Sequence, residues 1–304
     1  MNKYEKEYLK QNIKDESEML ETLKKQYQEA LEDINQKVYR LIKGINEDTL
    51  SSKMYQIRYQ LALKKQIQES LAKINDYDTI YEYLEKCYEV GYIGSLYDIM
   101  KQGIPITVPI DQEQVVNAII NQTKLKDGLY KRLGYDRKEL VKAINAEIAR
   151  GITNSLTYTE VARNITNKTN INMRKTYLIA RTEGHRVTCT ATYQAQMVAK
   201  DSGCDVFKQW DSTLDGRTRP SHRMVDGEIR EMDEKFSNGL LYPSDPNGQA
   251  SEVCNCRCAL IQRARWALDE SELATLKERA DYYGIDKSDN FRQFRQKFLN
   301  IEKG

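Results

Sequence analysis

The chain has 304 residues, of which 40% are hydrophobic and 30% are charged, with a formal net charge of +2. A chain of this length can form two domains and bury a core without needing a metal. The small net charge does not by itself identify a nucleic-acid-binding protein, which would need a local basic patch. The N-terminal residues contain no apolar signal segment, so we expect a protein of a reducing, cytosol-like compartment without membrane contact.

The N-terminal sequence predicts long helices. Between Met19 and Ile45 the apolar residues recur at alternating steps of three and four, as on one face of a helix. Asn46, Asp48 and Thr49 then offer caps for a second helix. We expect an antiparallel helical pair; a self-associating coiled coil and a helix that fills a partner's groove are the alternatives.

The middle of the chain continues this helical pattern, with one interruption. A tyrosine-rich helix over 77–100 favours a packed face over an interface. Pro105 and Pro109 then block a continuous helix and predict a linker. Shorter helices are predicted over 111–122, 136–150 and 158–167, the last after a capping box at Thr157–Glu160, and a long helix over 171–201 ends at Gly203.

The composition changes after Gly203. Five of the fifteen glycines and three of the five prolines lie between 203 and 248, which predicts turns and short strands. Strands are expected at 206–212 and 256–266, with a hairpin that begins at Asp226–Gly227. A final helix carries Phe291, Phe294, Phe298 and Ile301 on one face. This face is predicted to dock on the protein, with nucleic-acid or membrane contact as alternatives.

The predicted fold is therefore a mostly α N-terminal region with long amphipathic helices, followed by a small α+β C-terminal domain. The predicted segments are a long-helix region at 1–104, a linker with short helices at 105–150, the α+β domain at 151–270 and a helical tail at 271–304.

Three of the six cysteines fall at alternate positions, Cys254, Cys256 and Cys258. In an extended segment these side chains share one face, because residues alternate with period two. The chain has two histidines, and His222 lies in the same glycine-rich region. Three thiolates and an imidazole are ligands that structural zinc accepts, so a Cys₃His zinc site is one hypothesis. The other is a set of small buried thiols that pack a strand against the long helix.

The acids near His222 raise an enzymatic alternative. Asp211, Asp215 and Asp226 with His222 could bind the metal of a nuclease or hydrolase. Aspartates beside glycines and arginines are more often turn formers and salt-bridge partners.

Local charge gives limited support to a DNA-binding role. Between Lys208 and Arg265, nine Lys and Arg residues balance nine Asp and Glu residues. The basic stretch 217–223 and a tail with Arg292, Arg295 and Lys297 could still contact phosphates.

Four sequence stretches together resemble a known family. They are IARTEGHR at 179–186, KQWDSTLDGRTRPSHRMVDGE at 208–228, FSNGLLYPSDP at 236–246 and NCRC at 255–258. In this order they resemble the phage Mu protein F-like, or minor head (head morphogenesis), proteins of tailed bacteriophages. The resemblance covers about 150–260 of this sequence.

The resemblance implies a low-copy virion protein rather than an enzyme. It implies a place inside the phage head, association with the portal protein, a role in head assembly in the host cytoplasm, and a part in genome delivery. Scaffold or major capsid protein and phage DNA are further implied partners. His222, Cys256 and Cys258 are the candidate zinc ligands that the resemblance implies. Cys254 is the weakest candidate because family members often carry another residue type there, so the fourth position is taken by Cys254, by a carboxylate or by no protein ligand.

The resemblance also marks a structural motif within these stretches. The motif residues are Arg181, Glu183, Trp210, Asp215, Arg217, Arg219 and Asp226. The arginines beside the acids predict a buried or half-buried ion network that fixes the turns against the long helix, in which removal of one partner costs about 3 to 5 kcal/mol.

Three functional hypotheses follow. The first is a structural head protein whose helical part binds the portal. The second is a DNA-binding accessory protein of the packaged or ejected genome. The third is a metal-dependent nuclease-like enzyme that uses His222.

Overall fold

The computed structural model describes residues 2–43, 53–103, 123–153, 158–265 and 288–301. The elements are α1 (Lys3–Lys43), α2 (Lys53–Ala72), α3 (Asp76–Lys101), α4 (Thr123–Thr153), α5 (Tyr158–Asp201), β1 (Asp205–Asp211), α6 (Pro220–Met224), β2 (Ile229–Arg230), α7 (Ala250–Val253), β3 (Ala259–Arg265) and α8 (Phe291–Ile301). This arrangement confirms the predicted fold class, with long helices first and a small α+β part near the C-terminus. No helix among the described residues combines the length and apolar character needed to cross a bilayer.

The helices are longer than predicted. The two helices expected over 158–167 and 171–201 form the single helix α5, and α4 begins at Thr123. The intervening residues contain no glycine or proline, and the buried Thr169 hydroxyl donates to the carbonyl of Ile165 at 3.0 Å, which is compatible with a helix interior. The caps expected at 46–49, the linker at 105–110, the helix at 111–122 and Thr157 of the expected capping box lie outside the described residues.

The chain forms two compact units built from interleaved segments. The sheet unit comprises 1–16, 82–122 and 181–304, and the helical unit comprises 17–81 and 123–180. Helices α1, α3 and α5 each contribute residues to both units. The segments predicted from the sequence are consecutive instead, because a helix that leaves one unit and enters another gives no signal in hydrophobic periodicity.

The helical unit is held together by one apolar cluster from four helices. Its buried members are Tyr27, Ala30, Ile34 and Val38 of α1, Leu63, Ile67 and Leu71 of α2, Leu140, Val141, Ile144 and Ile148 of α4, and Val161 and Ile165 of α5, together with Ile74 from the turn between α2 and α3. The α1 members are among the residues that the three-and-four spacing between Met19 and Ile45 predicted to share one helix face. The Tyr27 hydroxyl lies 2.8 Å from that of Thr176, so the polar end of this buried ring is satisfied.

The sheet unit contains a three-stranded antiparallel sheet in the order β2-β1-β3. Trp210 of β1 is opposite Leu260 of β3, and Lys208 is opposite Arg230 of β2. The strands predicted at 206–212 and 256–266 correspond to β1 and β3, although β3 begins only at Ala259. The hairpin that was predicted to begin at Asp226–Gly227 does not form in that way. Instead, the chain after Gly227 forms β2, which pairs back onto β1.

The last helix packs within the sheet unit. Phe291 and Phe294 are buried, and their ring centroids lie 5.7 Å and 5.2 Å from that of Tyr97 on α3. The Lys101 ammonium donates to the carbonyl of Ser288 at 2.6 Å, just before this helix. The tail's apolar face therefore has a docking partner inside the protein; the side chains of Phe298 and Ile301 lie outside the described residues.

Candidate metal centre

His222 is positioned by the loop that follows β1. Pro220 starts the short helix α6, and its fixed φ suits a first helical turn. The Ser212 hydroxyl donates to the His222 carbonyl at 2.7 Å and accepts a hydrogen bond from the Trp210 indole N–H at 3.0 Å. These two contacts hold α6 against the end of β1 and leave His222 only 1% exposed.

The cysteine segment does not extend as a strand until Ala259. Cys254 caps the end of α7, and Asn255 has a φ of 53°, in the left-handed region. Asparagine tolerates this conformation better than most residues, and the turn at 254–255 interrupts the extended backbone. The alternation predicted for three thiols on one face is therefore broken: Cys256 and Cys258 are buried, whereas Cys254 is exposed.

The thiols of Cys256 and Cys258 lie close to the imidazole of His222. The His222 Nδ1 atom lies 3.3 Å from the Cys258 Sγ and 3.6 Å from the Cys256 Sγ. The three potential ligand atoms all lie within 4.8 Å of one another. Among the described residues they form the one cluster of His, Cys, Asp or Glu that meets this distance, and Cys254 is not a member.

The other imidazole nitrogen is occupied by a carboxylate. His222 Nε2 lies 3.0 Å from an oxygen of Glu252, which also accepts a hydrogen bond from the Ser221 hydroxyl at 2.8 Å. A neutral imidazole that donates from Nε2 presents a lone pair at Nδ1, which is the atom directed at the two sulfurs. A carboxylate on the far nitrogen is the arrangement that orients metal-binding histidines in proteins.

The two thiols differ in their ionisation. A hydrogen bond from Cys256 lowers the pKa of Cys258 to about 4, and contacts with His222 and Ser212 act in the same direction. The same hydrogen bond, together with burial, raises the pKa of Cys256 well above its usual range. These opposite directions favour the thiolate form at Cys258 over Cys256, and thiolate is the form that binds metals.

Aromatic rings enclose this centre. Trp210 is fully buried and meets the His222 ring edge-on at 5.1 Å and the Phe236 ring at 5.2 Å. The cluster of buried residues around it consists of Cys189, Trp210, Val225, Phe236, Leu240, Tyr242, Val253, Cys256, Cys258 and Leu260. The thiols thus contribute to the core of the sheet unit, which agrees with the packing alternative as well as with the metal alternative.

The charged motif residues lie in separate contacts with partners that the sequence did not indicate. The Arg181 Nε atom contacts Glu16 at 2.7 Å, and the fully buried Glu183 pairs with Arg186 at 3.0 Å. The structure therefore attaches the long helix α5 to α1 through Arg181.

The loop acids have internal partners. The two carboxylate oxygens of Asp215 accept hydrogen bonds from the two terminal guanidinium nitrogens of Arg257, at 2.6 Å and 2.7 Å. This pairing lowers the pKa of the carboxyl well below its usual range. Asp215 also accepts the backbone N–H of Arg217 at 2.9 Å. A carboxylate oxygen of Asp226 accepts the backbone N–H of Ser212 at 2.7 Å, and the Arg219 guanidinium donates to the carbonyl of Cys254. These contacts fix the loops around the centre.

Sequence reasoning did not identify several residues at this site. Glu252 lies thirty positions from His222, and the charge pattern gave no reason to pair them. His185 and Cys189, one turn apart on α5, lie 3.6 Å apart beside the centre, and burial lowers the pKa of His185 to about 4. The one available signal was the short distance along the chain between Glu252 and the cysteines at 254–258.

The fold and the site define a helical protein with a small α+β module centred on a buried His–Cys cluster. Residues 142–261 match the family described as Phage Mu protein F like protein. This part of the chain is therefore similar to that family, and the resemblance to phage minor head proteins is confirmed.

Two curated relatives have informative names. The minor head protein GP7 of Bacillus phage SPP1 is 33% identical over 197 residues, which cover 61% of this chain and 63% of that protein. The NAD(+)–arginine ADP-ribosyltransferase EFV of Enterococcus faecalis is 32% identical over 187 residues, which cover 60% of this chain and 38% of that protein. The chain thus spans less than two thirds of either relative. No solved structure matches the chain.

Proposed function

We propose that the protein is a structural component of a tailed-bacteriophage head that acts in head morphogenesis. It assembles in the host cytoplasm and resides in the virion. The match to the Phage Mu protein F like family and the likeness to a protein named as a minor head protein support this role. The observation that carries the head role is the match of residues 142–261 to the Phage Mu protein F like family, and the enclosure of the His–Cys cluster in the core of the sheet unit supports a structural rather than a catalytic use of this region.

This enclosure favours a structural role over a catalytic one. His222 faces two sulfurs and Glu252, so both of its ring nitrogens have partners. Asp215 and Asp226 are occupied by Arg257 and the Ser212 backbone, so the loop acids that a nuclease would need have structural contacts. A catalytic acid or base must reach the substrate, which a fully enclosed imidazole does not.

The proposed partner is the portal protein, with scaffold or major capsid protein and genome delivery as extensions of the same role. Co-expression of the chain with the portal protein of its phage, followed by affinity purification and size-exclusion chromatography, tests the contact. We expect the two proteins to co-elute. Separate elution at micromolar concentrations of both would overturn the portal assignment, and normal heads assembled by a phage that lacks the gene would overturn the morphogenesis role.

We also propose that the cluster binds a structural Zn²⁺ through His222, Cys256 and Cys258. In a zinc tetrahedron, bond lengths near 2.0 and 2.3 Å place a nitrogen and a sulfur about 3.6 Å apart. The Nδ1 to Sγ distances of 3.3 and 3.6 Å are close to this value without rearrangement. Thiolate and imidazole are donors that favour zinc over magnesium or calcium.

The zinc proposal is tested by metal analysis of the purified chain with matched variants. We expect about one zinc per chain by mass spectrometry, loss of zinc in Cys258→Ser and in His222→Ala, and retention in Cys254→Ser, because Cys254 is exposed and outside the cluster. Chelation should also lower the unfolding temperature of the parent but not of Cys258→Ser. A folded parent protein without zinc after growth in zinc-supplemented medium would overturn the proposal and leave the family assignment unchanged.

DNA binding is a weaker candidate on this structure. Of the predicted phosphate-binding arginines, Arg219 donates to the Cys254 carbonyl and Arg295 contacts Glu89, so both already have partners. Gel retardation across a salt series tests it, since phosphate contacts weaken steeply with salt. Tight retardation that weakens with salt would favour this candidate over the portal role.

The name of the Enterococcus faecalis relative motivates a test for transferase activity. The chain covers 38% of that protein, and we propose that the shared region serves a structural purpose in both. Incubation of the chain with labelled NAD⁺ and an arginine-containing acceptor protein should leave the acceptor unlabelled. Labelling above a heat-denatured control would overturn the non-catalytic assignment.

A further inference from the structure

We propose that His185 and Cys189 form a second, weaker metal-binding pair, which binds a thiol-seeking divalent ion such as Zn²⁺ before it reaches the buried centre. The inference rests on the proposed zinc function, because it assigns a route to the metal of that centre. Such a route is needed, since His222, Cys256 and Cys258 are only 1%, 5% and 2% exposed. An entry path is part of what a buried metal site requires.

A cavity in the sheet unit connects the surface with the centre. It has a volume of about 550 Å³, and its wall includes His185, Cys189 and Cys256. Ile13 belongs to the same wall and is 66% exposed, whereas Cys256 is 5% exposed. The cavity therefore leads from solvent to one thiol of the centre, and Cys256 is the ligand of the centre that an ion in the cavity contacts first.

The spacing of the pair suits one metal ion. His185 and Cys189 lie one turn apart on α5, so their side chains share one face of the helix, and both line the cavity. The His185 Nε2 atom lies 3.6 Å from the Cys189 Sγ. Bond lengths in a zinc tetrahedron place a nitrogen and a sulfur about 3.6 Å apart, so the pair can bind one ion without rearrangement.

The segment that carries the ligands of the centre also orients the His185 ring. The backbone carbonyl of Cys258 accepts a hydrogen bond from this ring, and the Cys189 Sγ lies 4.0 Å from the same carbonyl oxygen. A ring nitrogen that donates to a carbonyl is a common arrangement in metal-binding histidines. The pair thus lies directly beside the residues to which an ion would be transferred.

The pair should bind metal more weakly than the centre does. Among the described residues, the one group of three or more potential ligands within 4.8 Å consists of His222, Cys256 and Cys258, so His185 and Cys189 have no third protein ligand. Solvent then completes the coordination, as at an open metal site. An ion held by two protein ligands exchanges readily, which is what an entry site requires. Thiol and imidazole donors favour zinc, cobalt or cadmium over magnesium and calcium.

Two lysines in the cavity wall give the route a charge dependence. Lys6 and Lys10 lie one turn apart on α1, and both are exposed. Positive charge at this position opposes the approach of a hydrated cation. The double variant Lys6→Glu, Lys10→Glu should therefore take up Zn²⁺ at least about twofold faster at low salt, and added salt should reduce the difference.

Cobalt titration of the zinc-loaded full chain tests the pair itself. Zinc binds more tightly than cobalt and keeps the centre occupied, so a thiolate-to-cobalt charge-transfer band reports a second site. We expect this band at Co²⁺ concentrations at least about a hundredfold above those that fill the centre of the zinc-free chain. The band should be lost in Cys189→Ala and His185→Phe. It should remain in the matched controls Cys254→Ser and Cys204→Ala, whose thiols lie outside the cavity wall.

Zinc exchange tests the route. The rates of zinc uptake by the chain, and of zinc transfer from the loaded chain to a coloured chelator, are measured by absorbance. We expect His185→Phe and Cys189→Ala to slow both processes at least about fivefold, while the zinc affinity stays within about threefold, because a site used only in transit lowers the barrier equally in both directions. Ile13→Trp, which narrows the exposed end of the cavity, should also slow both, and Cys204→Ala should slow neither.

Three outcomes would overturn the proposal. They are a cobalt band that disappears in Cys254→Ser, exchange rates in His185→Phe and Cys189→Ala equal to those of the parent, and exchange no faster than global unfolding measured by hydrogen exchange. A fall in zinc affinity as large as the fall in uptake rate would instead make the pair a structural support of the centre. Circular dichroism verifies folding; if Cys189→Ala does not fold, His185→Phe decides alone.

Failure of the zinc proposal is distinguishable from failure of this one. A purified chain that holds no zinc would overturn the proposed centre and the transfer to it. The cobalt titration would then still decide the pair, because a band that is lost in Cys189→Ala and kept in Cys258→Ser assigns the ion to His185 and Cys189.

Discussion

Asp98 is a buried carboxyl whose ionisation should make the stability of the protein depend on pH. It is fully buried on α3, and its oxygens accept hydrogen bonds from Asn2 at 2.7 Å and from Gln102 and Gln262 at 2.5 Å each. Burial raises its pKa from 3.8 to about 6, and the nearby Glu5 adds to the rise, while the three amide donors oppose it. The folded state therefore prefers the protonated carboxyl.

The sign and size of the effect follow from this pKa. Because the folded-state pKa is the higher one, the group's favourable contribution is present below pH 3.8 and is lost as the pH rises through about 6. The difference between the two pKa values corresponds to about 3 kcal/mol in full, since each pKa unit is worth about 1.4 kcal/mol. Between pH 4 and 7.5, about 2 kcal/mol of this is lost.

The variant Asp98→Asn isolates this contribution. The asparagine cannot titrate, so any constant cost of its altered hydrogen bonds cancels when the same two proteins are compared at several pH values. Urea denaturation followed by circular dichroism between pH 4 and 7.5 gives the free energy of unfolding of each protein. We expect the wild type to lose about 2 kcal/mol relative to Asp98→Asn over this range. Parallel curves, or a wild type that gains on the variant as the pH rises, would refute the reasoning.

Three further predictions concern packing and backbone conformation. Trp210→Ala should lower the free energy of unfolding, measured by thermal or urea denaturation, by about 3 to 5 kcal/mol because the fully buried indole is lost from the core. A decrease below about 1 kcal/mol would contradict the packing described. Gly91→Ala should lower the free energy of unfolding by about 1 to 3 kcal/mol, because the new Cβ would lie 2.4 Å from the carbonyl oxygen of Thr188. Gly134→Ala should raise it by about 0.5 to 1 kcal/mol, because open space surrounds that position. Equal effects of the two substitutions would argue against the close helix approach at Gly91. Asn255→Val should cost about 1 to 3 kcal/mol at its φ of 53° and Asn255→Gly much less, and a well-tolerated valine would mean that this turn is not left-handed.

Much of the fold could be predicted from local patterns in the sequence. The three-and-four spacing in α1 and the change in composition at Gly203 predicted long helices followed by a small α+β part, because both depend on neighbours in the chain. The predicted strands at 206–212 and 256–266 correspond to β1 and β3 for the same reason. The interleaving of the two units was not predictable in this way, since α5 continues without a break from one unit into the other.

The residues of the candidate metal centre were also predictable only in part from the sequence. The sequence by itself placed His222, Cys256 and Cys258 in one glycine-rich region and identified their chemistry as that of thiol and imidazole donors. Only the tertiary structure removed Cys254 from the set and supplied Glu252, because one left-handed residue, Asn255, turns the chain between the first thiol and the other two. Side-chain alternation is a local rule that a single backbone angle can interrupt, whereas the contact of Glu252 with His222 depends on the packing of α6 against α7 across thirty residues.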